Sequence, residues 1–452
     1  MSWSPTLTSS LKGYRQLAEC IINDIHAGIL ASGQPLPAIR QLAKQLTITP
    51  TTVGRAYRLV EQKGYLVSRV GKGTFVAGQQ DLNNVIQTGQ QSCNLSIIQP
   101  LPELVQSDFD QVMASFATQP MATSLLNYPD EHSLAPYQHM ACQWLQSLGV
   151  NADNPTQLVF SHGAQHALYL LISTLTQAGD KIALEKWVYP GALTICQQLG
   201  RQVVPIEMDQ QGMCPTSLAK TCEQHSIKLV LVVASYQNPS TAIMSLKRRH
   251  KLAAVVKKYR LWLLDDDIYG FLNKGQYPPL YNLVPERCFY VSSLSKAILP
   301  GLRVGFIYGP AQFTAQLNNQ VRHQIWMNNG LSLELMARLS QQRRLEKMMA
   351  QQISQAEQRQ KIMRQTLGQW HVESQLRSYH CWLYLPEYWN SESFRQAARA
   401  NGVIVSSAAH FSVDKHQAAN AVRLSLMAPS SQQVLRQGLE TLNQLLKNPP
   451  SL

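Results

Sequence analysis

The sequence predicts an α/β chain of two folding units, a small helical unit with a β hairpin and then a large domain built on a mostly parallel sheet. Its 452 residues exceed one ordinary domain, and 45% hydrophobic with 15% charged residues is a globular composition. Helical stripes fill residues 14–76, whereas apolar runs alternate with helical stretches from about residue 94 onward. This change of pattern divides the chain.

Positive charge is concentrated near the N-terminus. The formal net charge is +13, and residues 1–77 hold nine Lys and Arg against three Asp and Glu. An excess of six positive charges in this short stretch favours a polyanion as partner, although a basic soluble protein would show the same excess.

The eight cysteines include no Cys-x-x-Cys pair and none at zinc-finger spacing from a histidine. We therefore expect reduced, mostly buried thiols and no metal site. No apolar run approaches the roughly 18 residues of a membrane span, and the N-terminus lacks the apolar stretch of a signal peptide. These features predict a cytoplasmic protein.

Three amphipathic helices and a hairpin are predicted within residues 10–77. Apolar residues at helical spacing define the buried faces: Leu17, Ala18, Ile21, Ile22, Ile25 and Ile29 for the first helix, Ile39, Leu42, Ala43 and Leu46 for the second, and Val53, Ala56, Tyr57 and Val60 for the third. Thr49 is the expected N-cap of the third helix, with Pro50 as its first residue. Two short strands, at 66–70 and 74–76, complete the unit.

Two helices joined by a short turn can place the exposed face of the second helix in the major groove of DNA. The side chains predicted to contact DNA are Arg40 and Lys44, then Thr51, Thr52, Arg55 and Arg58, and on the hairpin Arg69 and Lys72. Phosphate contacts would position the protein, and contacts to base edges would set the sequence preference. Any one of these residues also fits a solvated surface side chain, so the prediction depends on their arrangement.

The stretch LPAIRQLAKQLTITPTTVGRAYRLVEQKGYLVSRVGKGTFV resembles the winged helix-turn-helix of the GntR regulator family over nearly its whole length. The matching residues are the Leu-Pro opening, Arg40, Leu42-Ala43, Thr52-Val53, Ala56-Tyr57, Gly64-Tyr65 and the Gly-x-Gly-Thr-Phe-Val wing. The family often has an Arg where this chain has Pro50, so one DNA contact is lost here. The resemblance implies a double-stranded DNA operator as partner.

Residues 78–93 (GQQDLNNVIQTGQQSC) are polar, Gln-rich and weakly periodic, and are the predicted linker. The large domain is predicted over 94–452. A helix begins at Gly163, and apolar runs at 181–184, 203–208, 229–234, 261–264, 289–291 and 304–308 predict strands that alternate with helices. A Gln-rich helical stretch from about residue 330, strands at 379–385, 403–406 and 422–426, and a last helix predict a smaller C-terminal α+β subdomain.

Several residues of the large domain are of the types that bind an aldehyde cofactor. Lys296 follows an apolar strand, where an amine held partly neutral can condense with an aldehyde. Asp266 ends another strand, where a carboxylate can pair with a protonated pyridine nitrogen. Tyr269 and Asn238 are candidate partners of a ring phenolate, and Tyr189 is a candidate for stacking on the ring.

Anion-binding residues accompany them. The candidate phosphate ligands are Ser293, Ser295 and Arg303, with the helix start at Gly163, Ala164 and Gln165. Arg423, in AVRLSLM, is a candidate bidentate partner of a carboxylate. Taken singly, each residue also fits a solvated side chain, a polar loop or a turn. Their order along one α/β chain is what favours a cofactor site.

That order (GAQ, WVYPG, QNP, DDxxY, SxSK with an Arg seven residues on, and a late Arg) resembles the fold type I aminotransferases over about residues 94–446. With the GntR-type domain in front, the chain resembles the MocR subfamily of GntR regulators. Members of that subfamily bind pyridoxal phosphate and regulate transcription, usually as head-to-tail homodimers.

The resemblance implies a role for each candidate residue. Lys296 is the catalytic lysine that holds the cofactor aldehyde, Asp266 pairs with the pyridine nitrogen, and Tyr269 and Asn238 contact the phenolic oxygen. The remaining roles are phosphate binding by Gly163, Ala164, Gln165, Ser293, Ser295 and Arg303, contact with the neighbouring subunit's phosphate by Tyr128, ring stacking by Tyr189, and binding of an effector carboxylate by Arg423.

The chain departs from this pattern at the rim of the site. Ser240-Thr241 follow Asn238-Pro239 where the family has Thr-Gly, and Ser133 and Gln138 stand where it usually has Gly and Arg. Three functions remain open: a regulator responding to a small amine or amino acid, a sensor of pyridoxal phosphate itself, and a working aminotransferase with an appended DNA-binding domain. The intact wing and the basic N-terminal unit favour regulation.

Overall fold

The computed structural model forms two compact units, Met1–Asn84 and Val85–Leu452. The residues that it describes are 3, 5, 13–26, 29–30, 34–62, 65–69, 73–76, 93–121, 123, 127–128, 133–273, 275–414 and 417–448. The boundary between the units falls inside the stretch predicted as a linker, of which residues 78–92 lie outside this description.

The N-terminal unit contains three helices and an antiparallel hairpin. These are α1 (Tyr14–His26), α2 (Ile39–Leu46), α3 (Pro50–Gln62), β1 (Leu66–Arg69) and β2 (Gly73–Val76). The predicted start of α3 is confirmed, because the helix begins at Pro50 and the backbone N–H of Thr52 donates to the Thr49 hydroxyl at 3.2 Å. This cap fixes where the third helix leaves the turn.

The apolar stripes of this unit form one buried cluster, which includes Leu17, Ala18, Ile21, Leu42, Ala43, Val53, Ala56, Tyr57 and Val60. The prediction was wrong for Ile29, which is 62% exposed. Helix α1 ends at His26, so Ile29 no longer follows the helical period, and Leu30 is buried instead. Ile39, at the first position of α2, is also exposed.

Before residue 270, the described part of the large unit contains fourteen strands and α-helices. In chain order these are β3 (Cys93–Asn94), α4 (Gln106–Thr118), α5 (Ala135–Ser147), β4 (Leu158–Ser161), α6 (Ala164–Leu175), β5 (Lys181–Glu185), α7 (Pro190–Gln198), β6 (Gln202–Ile206), β7 (Met208–Asp209), β8 (Gly212–Met213), α8 (Pro215–Gln224), β9 (Ile227–Val232), α9 (Leu246–Tyr259) and β10 (Trp262–Asp266). Then follow α10 (Gly270–Asn273), β11 (Cys288–Ser293), α11 (Leu294–Ala297), β12 (Gly305–Tyr308), α12 (Thr314–Ile325), α13 (Gly330–Ser340) and α14 (Arg344–Leu367).

Seven of these strands form one sheet in the order β4-β12-β11-β10-β9-β5-β6. Strand β12 is antiparallel to both of its neighbours and the other pairs are parallel, so the prediction of a mostly parallel sheet is confirmed. The run predicted at 203–208 is divided, because Met208–Asp209 pairs with Gly212–Met213 in a separate hairpin. The sequence analysis missed β4, a short four-residue strand.

Both faces of this sheet are buried. Neighbouring residues on a strand belong to two different apolar clusters: Val230, Leu263, Tyr290 and Phe306 to one, and Leu229, Leu264, Phe289 and Ile307 to the other. Alternate side chains point to opposite faces of a strand, so helices must cover the sheet on both sides. The carboxyl ends of the central strands are therefore the part of the sheet left for a site.

The smaller C-terminal subdomain contains β13 (Val372–Glu373), β14 (His380–Tyr384), α15 (Ser391–Ala400), β15 (Val403–Ile404), β16 (Ser406–Ser407), β17 (Ala421–Ser425) and α16 (Gln432–Lys447). Its antiparallel sheet has the order β13-β14-β17-β16. One residue of the predicted linker needs correction: Cys93 is buried in β3, which pairs in parallel with β15. The sequence signal was masked because this strand is only two residues long.

All eight cysteines are free thiols, and five of them are buried, as predicted. Among the described residues, His, Cys, Asp and Glu form no group of three that could hold a metal ion. No helix within the described ranges combines the length and the apolar character needed to cross a bilayer.

Candidate cofactor-binding site

The candidate site lies at the carboxyl ends of the central strands. Strands β10 and β11 are parallel neighbours with Asp266 opposite Val291, and Asp266 is the last residue of β10. Strand β11 leads directly into the one-turn helix α11, which carries Lys296. The sheet therefore brings the two central candidates of the sequence analysis to the same edge.

The Lys296 side chain is half-buried, and its amine is withdrawn from water. Its Nζ donates to the carbonyl oxygen of Ile98 at 2.6 Å. Burial, together with the nearby guanidinium groups of Arg423 and Arg303, lowers the pKa of Lys296 to about 8. A substantial fraction of this amine is therefore neutral near physiological pH, which is the form that attacks an aldehyde.

Asp266 is the middle member of three consecutive buried carboxylates. Burial, with the charge of Asp267 next in importance, raises the pKa of Asp266 to about 7. Asp265 accepts the backbone N–H of Tyr281 at 3.2 Å and Asp267 accepts the Tyr290 hydroxyl at 3.1 Å. The Oδ1 of each of the three has no hydrogen-bond partner among the described residues. That of Asp266, the last residue of β10, can accept a bond from a proton-bearing ring nitrogen.

An anion cradle is formed around Gly163, which has φ 82° and precedes helix α6. This left-handed φ favours glycine, and a Cβ here would lie 2.7 Å from Nη2 of Arg303 and displace its guanidinium from the cradle. The Arg303 guanidinium donates to the His162 carbonyl at 2.7 Å and to the Ser295 hydroxyl at 3.4 Å. A guanidinium, a hydroxyl and the free amides of a helix start are the groups that bind a phosphate.

The other predicted phosphate ligands are close in sequence to this cradle. Ala164 and Gln165 form the first turn of α6, and Ser293 is buried at the end of β11. The Gln165 side-chain oxygen accepts the Tyr189 hydroxyl at 3.0 Å. This bond ties Tyr189, the predicted stacking residue, to the phosphate end of the site.

The charges of Asp266 and Arg423 act on both Tyr189 and Tyr269. Burial raises the pKa of Tyr189 and of Tyr269; for both, the charge of Asp266 acts in the same direction and that of Arg423 in the opposite direction. Tyr189 before α7, Tyr269 after β10 and Arg423 in β17 are therefore near enough to interact electrostatically. Residue type and spacing identified these residues, whereas their proximity depends on the fold.

Arg423 is buried in the middle of β17. Its guanidinium donates to the Asn238 side-chain oxygen at 3.0 Å, to the Ser406 hydroxyl at 3.4 Å and to the Ser96 carbonyl. Its Nε has no partner in the described part of the chain. Asn238, predicted at the cofactor's phenolic oxygen, thus uses its oxygen on Arg423 and keeps its NH₂ group for that role.

Sequence reasoning missed a buried polar cluster behind Asn238. The Gln237 side-chain N–H donates to Glu185 at 3.0 Å and to the Trp187 carbonyl at 2.7 Å, and the His380 Nε2 lies 3.1 Å from the Gln237 carbonyl oxygen. Burial, with the charge of Arg423 next, lowers the pKa of His380 to about 3, so this imidazole is neutral. Glu185 ends one apolar run and His380 begins another, and that was the only signal available.

Residues 93–101, here named the entry segment, were also missed. Besides the bonds to Lys296 and Arg423 from its Ile98 and Ser96 carbonyls, its Leu95 carbonyl accepts the backbone N–H of Ser425 at 2.7 Å. The Leu101 backbone exchanges two hydrogen bonds with the Gln352 side chain, at 2.9 and 2.7 Å. Backbone carbonyls carry no residue-type signal, so no sequence pattern could reveal these contacts.

Tyr128 is not brought into the site of its own chain. It is 76% exposed, and its ring contacts that of Trp326, itself 66% exposed, with a centroid distance of 5.9 Å. A depression of about 620 Å³ beside Trp326 is lined by His162 and residues 327–331, among others. His162 also accepts the bond from Arg303, so these exposed aromatic side chains lie near the phosphate end of the site.

The predicted DNA contacts lie mostly on exposed positions of α2 and α3, namely Arg40, Lys44, Thr51, Arg55 and Arg58. Thr52 is half-buried, and its hydroxyl lies 2.9 Å from that of Thr49, so it takes part in capping α3. The side chain of Arg69 and the whole of Lys72 lie outside the described residues.

Two family profiles match the chain. "Aminotransferase class I and II" matches residues 93–442, and "Bacterial regulatory proteins, gntR family" matches residues 13–76. The HTH-type transcriptional regulator YdeF of Bacillus subtilis is 28% identical over 99% of this chain and 97% of its own. The HTH-type pyridoxine biosynthesis transcriptional regulator PdxR of Corynebacterium glutamicum is 27% identical over 65% of each chain. An archaeal alanine:glyoxylate aminotransferase has the same fold, with a TM-score of 0.74 and 22% identity over 82% of this chain and 93% of its own.

Replacing Lys296 should stabilise the cofactor-free protein. In the folded protein the pKa of Lys296 is about 8, below its ordinary value of 10.5. The buried charge therefore destabilises the fold fully below about pH 8, and this destabilisation disappears as the pH rises to 10.5. Lys296→Met should therefore raise the free energy of unfolding near pH 7 by up to about 3 kcal/mol. Urea unfolding across this pH range measures it, with Lys361→Met, at an exposed position of α14, as the control. A gain that stays constant up to pH 10.5 would contradict the burial of a charged amine.

Proposed function

Since the chain belongs to the class I and II aminotransferase family and also carries a gntR-family domain, we propose that it is a transcription regulator whose aminotransferase-like domain binds pyridoxal phosphate and responds to a small amine. One observation carries this proposal. The same chain combines a gntR-family domain with a site in which Lys296 and Asp266 lie at one edge of the large sheet, and Arg423 of β17 is near enough for its charge to act on the Lys296 amine. The division into a DNA-binding domain at 10–77, a linker at 78–93 and an effector domain at 94–452 is part of the proposal.

The residues of the site fit pyridoxal phosphate. The unpartnered Oδ1 of Asp266 suits a protonated pyridine nitrogen, and the Gly163–Arg303 cradle suits the phosphate. Bound pyridoxal phosphate supplies an aldehyde that condenses with amines and a ring that withdraws electrons from them. Lys296 would hold the aldehyde carbon.

The remaining side chains would orient the group. Tyr269 and the NH₂ group of Asn238 would contact the phenolic oxygen, and Tyr189 would pack on the ring. The phosphate would be bound by Gly163, Ala164, Gln165, Ser293, Ser295 and Arg303.

We propose an amino acid, or a relative with a carboxylate, as the effector. The Nε of Arg423 is a buried donor without a partner, and a carboxylate is the usual ligand of such a guanidinium. A sensor of pyridoxal phosphate alone has no need of a residue that binds a carboxylate. The presence of Arg423 therefore favours an amino-acid effector. Slow transamination is compatible with the same residues, because no anchor of the site is missing.

The regulator is proposed to act in the cytoplasm as a homodimer formed through the large domain. Tyr128 is exposed beside the phosphate end of its own site, so in a head-to-tail dimer it would serve the phosphate of the neighbouring subunit. A dimer predicts two operator half-sites, and a polar linker at 78–93 would relax their spacing.

The purified protein should be yellow and should form a borohydride-reducible adduct at Lys296. Lys296→Ala should abolish the adduct, while Lys361→Ala, a lysine exposed on α14, should leave it intact. Mass spectrometry of the peptides after reduction identifies the modified residue. An unchanged adduct in Lys296→Ala would refute the assignment of this lysine.

DNA binding should depend on Arg55, Arg58 and Lys72. Arg58→Ala or Lys72→Ala removes a phosphate contact and should make the slope of log affinity against log salt less steep by about 0.9. Arg55→Ala, at a base edge, should cost roughly 1–3 kcal/mol at one base position. Genomic DNA pull-down, with and without pyridoxal phosphate, identifies the operator used in these measurements. Arg15→Ala, at an exposed position of α1, is the control for loss of one positive charge. Operator affinity at the wild-type level in the triple variant would contradict this surface.

An amino-acid effector should change cofactor absorbance and operator binding together. Arg423→Gln should weaken the response to the amino acid by roughly 10–100-fold, because a charge-assisted bond is lost. The response to the matching amine without a carboxylate should be unaffected by this substitution. If no amine changes either signal while pyridoxal phosphate alone switches DNA binding, the cofactor-sensor function is correct instead.

A further inference from the structure

Helix α9 carries positive charge that the cofactor site does not use. Residues 246–260 (LKRRHKLAAVVKKYR) contain seven Lys and Arg and no Asp or Glu. The chain beyond residue 77 has an excess of seven positive charges in all, so these fifteen residues hold as many cations as that whole excess. Positive charge clustered along one helix is a footprint of polyanion binding when local carboxylates do not neutralise it.

One of the seven has a structural role. Arg249 is fully buried, and its guanidinium donates to the carbonyls of Met244 and Ala234 at 3.1 and 2.9 Å and to the Ser235 hydroxyl at 3.0 Å. Burial raises the pKa values of Asp265 and Asp267, and the charge of Arg249 opposes that rise. Arg249 therefore belongs to the core and explains none of the exposed charge.

The other face of α9 is a stripe of cations. Lys247, Lys251 and Lys258 are all exposed, and their spacing of four and seven residues places them on one side of the helix. At 1.5 Å per residue the stripe is about 16 Å long, which is the axial rise of about five base pairs of DNA. We call Lys247, Lys251 and Lys258 the α9 face.

The carboxylates around α9 neutralise only part of its charge. Arg248 pairs with Asp209 at 2.5 Å, and Lys257 lies 3.9 Å from Glu286. Glu223 accepts the Tyr259 hydroxyl at 3.0 Å and is the carboxylate that faces Lys258.

Lys247 and Lys251 have no ion pair within the described ranges. Lys247 also stands in the first turn of α9, where the helix dipole opposes a cation, and no acidic residue balances it there. A charge that local stability disfavours at this position is consistent with a role in binding.

We propose that the α9 face contacts the phosphate backbone of double-stranded DNA, in addition to the contacts made by the gntR-family domain. Double-stranded DNA is the polyanion that this chain already binds through that domain, and lysine ammonium groups suit its phosphates as point charges. Such contacts carry no sequence preference; they add to affinity and to its salt dependence. Small-molecule binding in the aminotransferase-like domain gives no reason for a solvent-facing stripe of this kind.

The test compares the full-length protein with the variant Lys247→Gln/Lys251→Gln/Lys258→Gln. Fluorescence anisotropy with a duplex of arbitrary sequence, over a series of KCl concentrations, gives the slope of log affinity against log salt. Loss of three phosphate contacts should make this slope less steep by about 2.7. The matched control is Lys361→Gln/Arg436→Gln/Lys447→Gln, which removes the same charge from exposed positions of α14 and α16.

The outcomes separate this proposal from the function proposed above. The α9 variant should lower affinity for the operator and for arbitrary DNA by the same factor, whereas Arg55→Ala should lower only the preference for the operator. An unchanged slope, or an equal loss of slope in both triple variants, would overturn a local DNA contact at α9. The proposal would also be overturned if the wild type bound phosphatidylglycerol vesicles and the α9 variant lost this binding but kept its DNA affinity. The α9 face would then be a membrane contact.

Discussion

Charges withdrawn from water between the edge of the large sheet and strand β17 constrain the rest of this structure. Asp266 and Arg423 are buried and Lys296 is half-buried. Burial raises the pKa of Asp266 and lowers the pKa values of Lys296 and Arg423. Charged groups remain in such a place only when hydrogen bonds and opposite charges hold them. The parallel strands, the Gly163 turn and the cluster behind Asn238 supply that support, so the fold and the site are determined by the same contacts.

Two buried arginines show how a structural charge differs from one reserved for a ligand. Arg249 uses its Nε and both terminal nitrogens on backbone and hydroxyl acceptors within the large domain. Arg423 is as deeply buried, yet its Nε has no partner among the described residues, just as one oxygen of Asp266 has none. The same is true of the Arg359 Nε and of one oxygen each of Asp265 and Asp267, so the lack of a partner is not sufficient by itself. Arg423 and Asp266 differ in their place, the site that carries Lys296, where a bound ligand could offset the cost of both atoms.

Residue type and spacing were sufficient for much of this structure. Thr49-Pro50 predicted the start of α3, the apolar runs predicted six strands of the large sheet, and Gly163 predicted the start of α6. The failures have a common cause. Ile29 and Cys93 depend on where an element ends, and the carbonyls of Ser96 and Ile98 depend on tertiary contacts that any residue can make. His380 and Glu185 stand at the ends of apolar runs, and only the fold reveals their partners.

The contacts of the entry segment couple ligand binding at the site to the position of that segment. Its Ile98 carbonyl accepts a hydrogen bond from the Lys296 amine, and its Ser96 carbonyl accepts one from the Arg423 guanidinium. An aldehyde that reacts with Lys296 and a carboxylate that binds Arg423 therefore compete with these two carbonyls. The apparent affinity of such ligands falls with the fraction of molecules in which the segment still holds them. Thermodynamic reciprocity applies to this competition. If release of the entry segment raises ligand affinity by some factor, ligand binding shifts the equilibrium toward the released segment by the same factor.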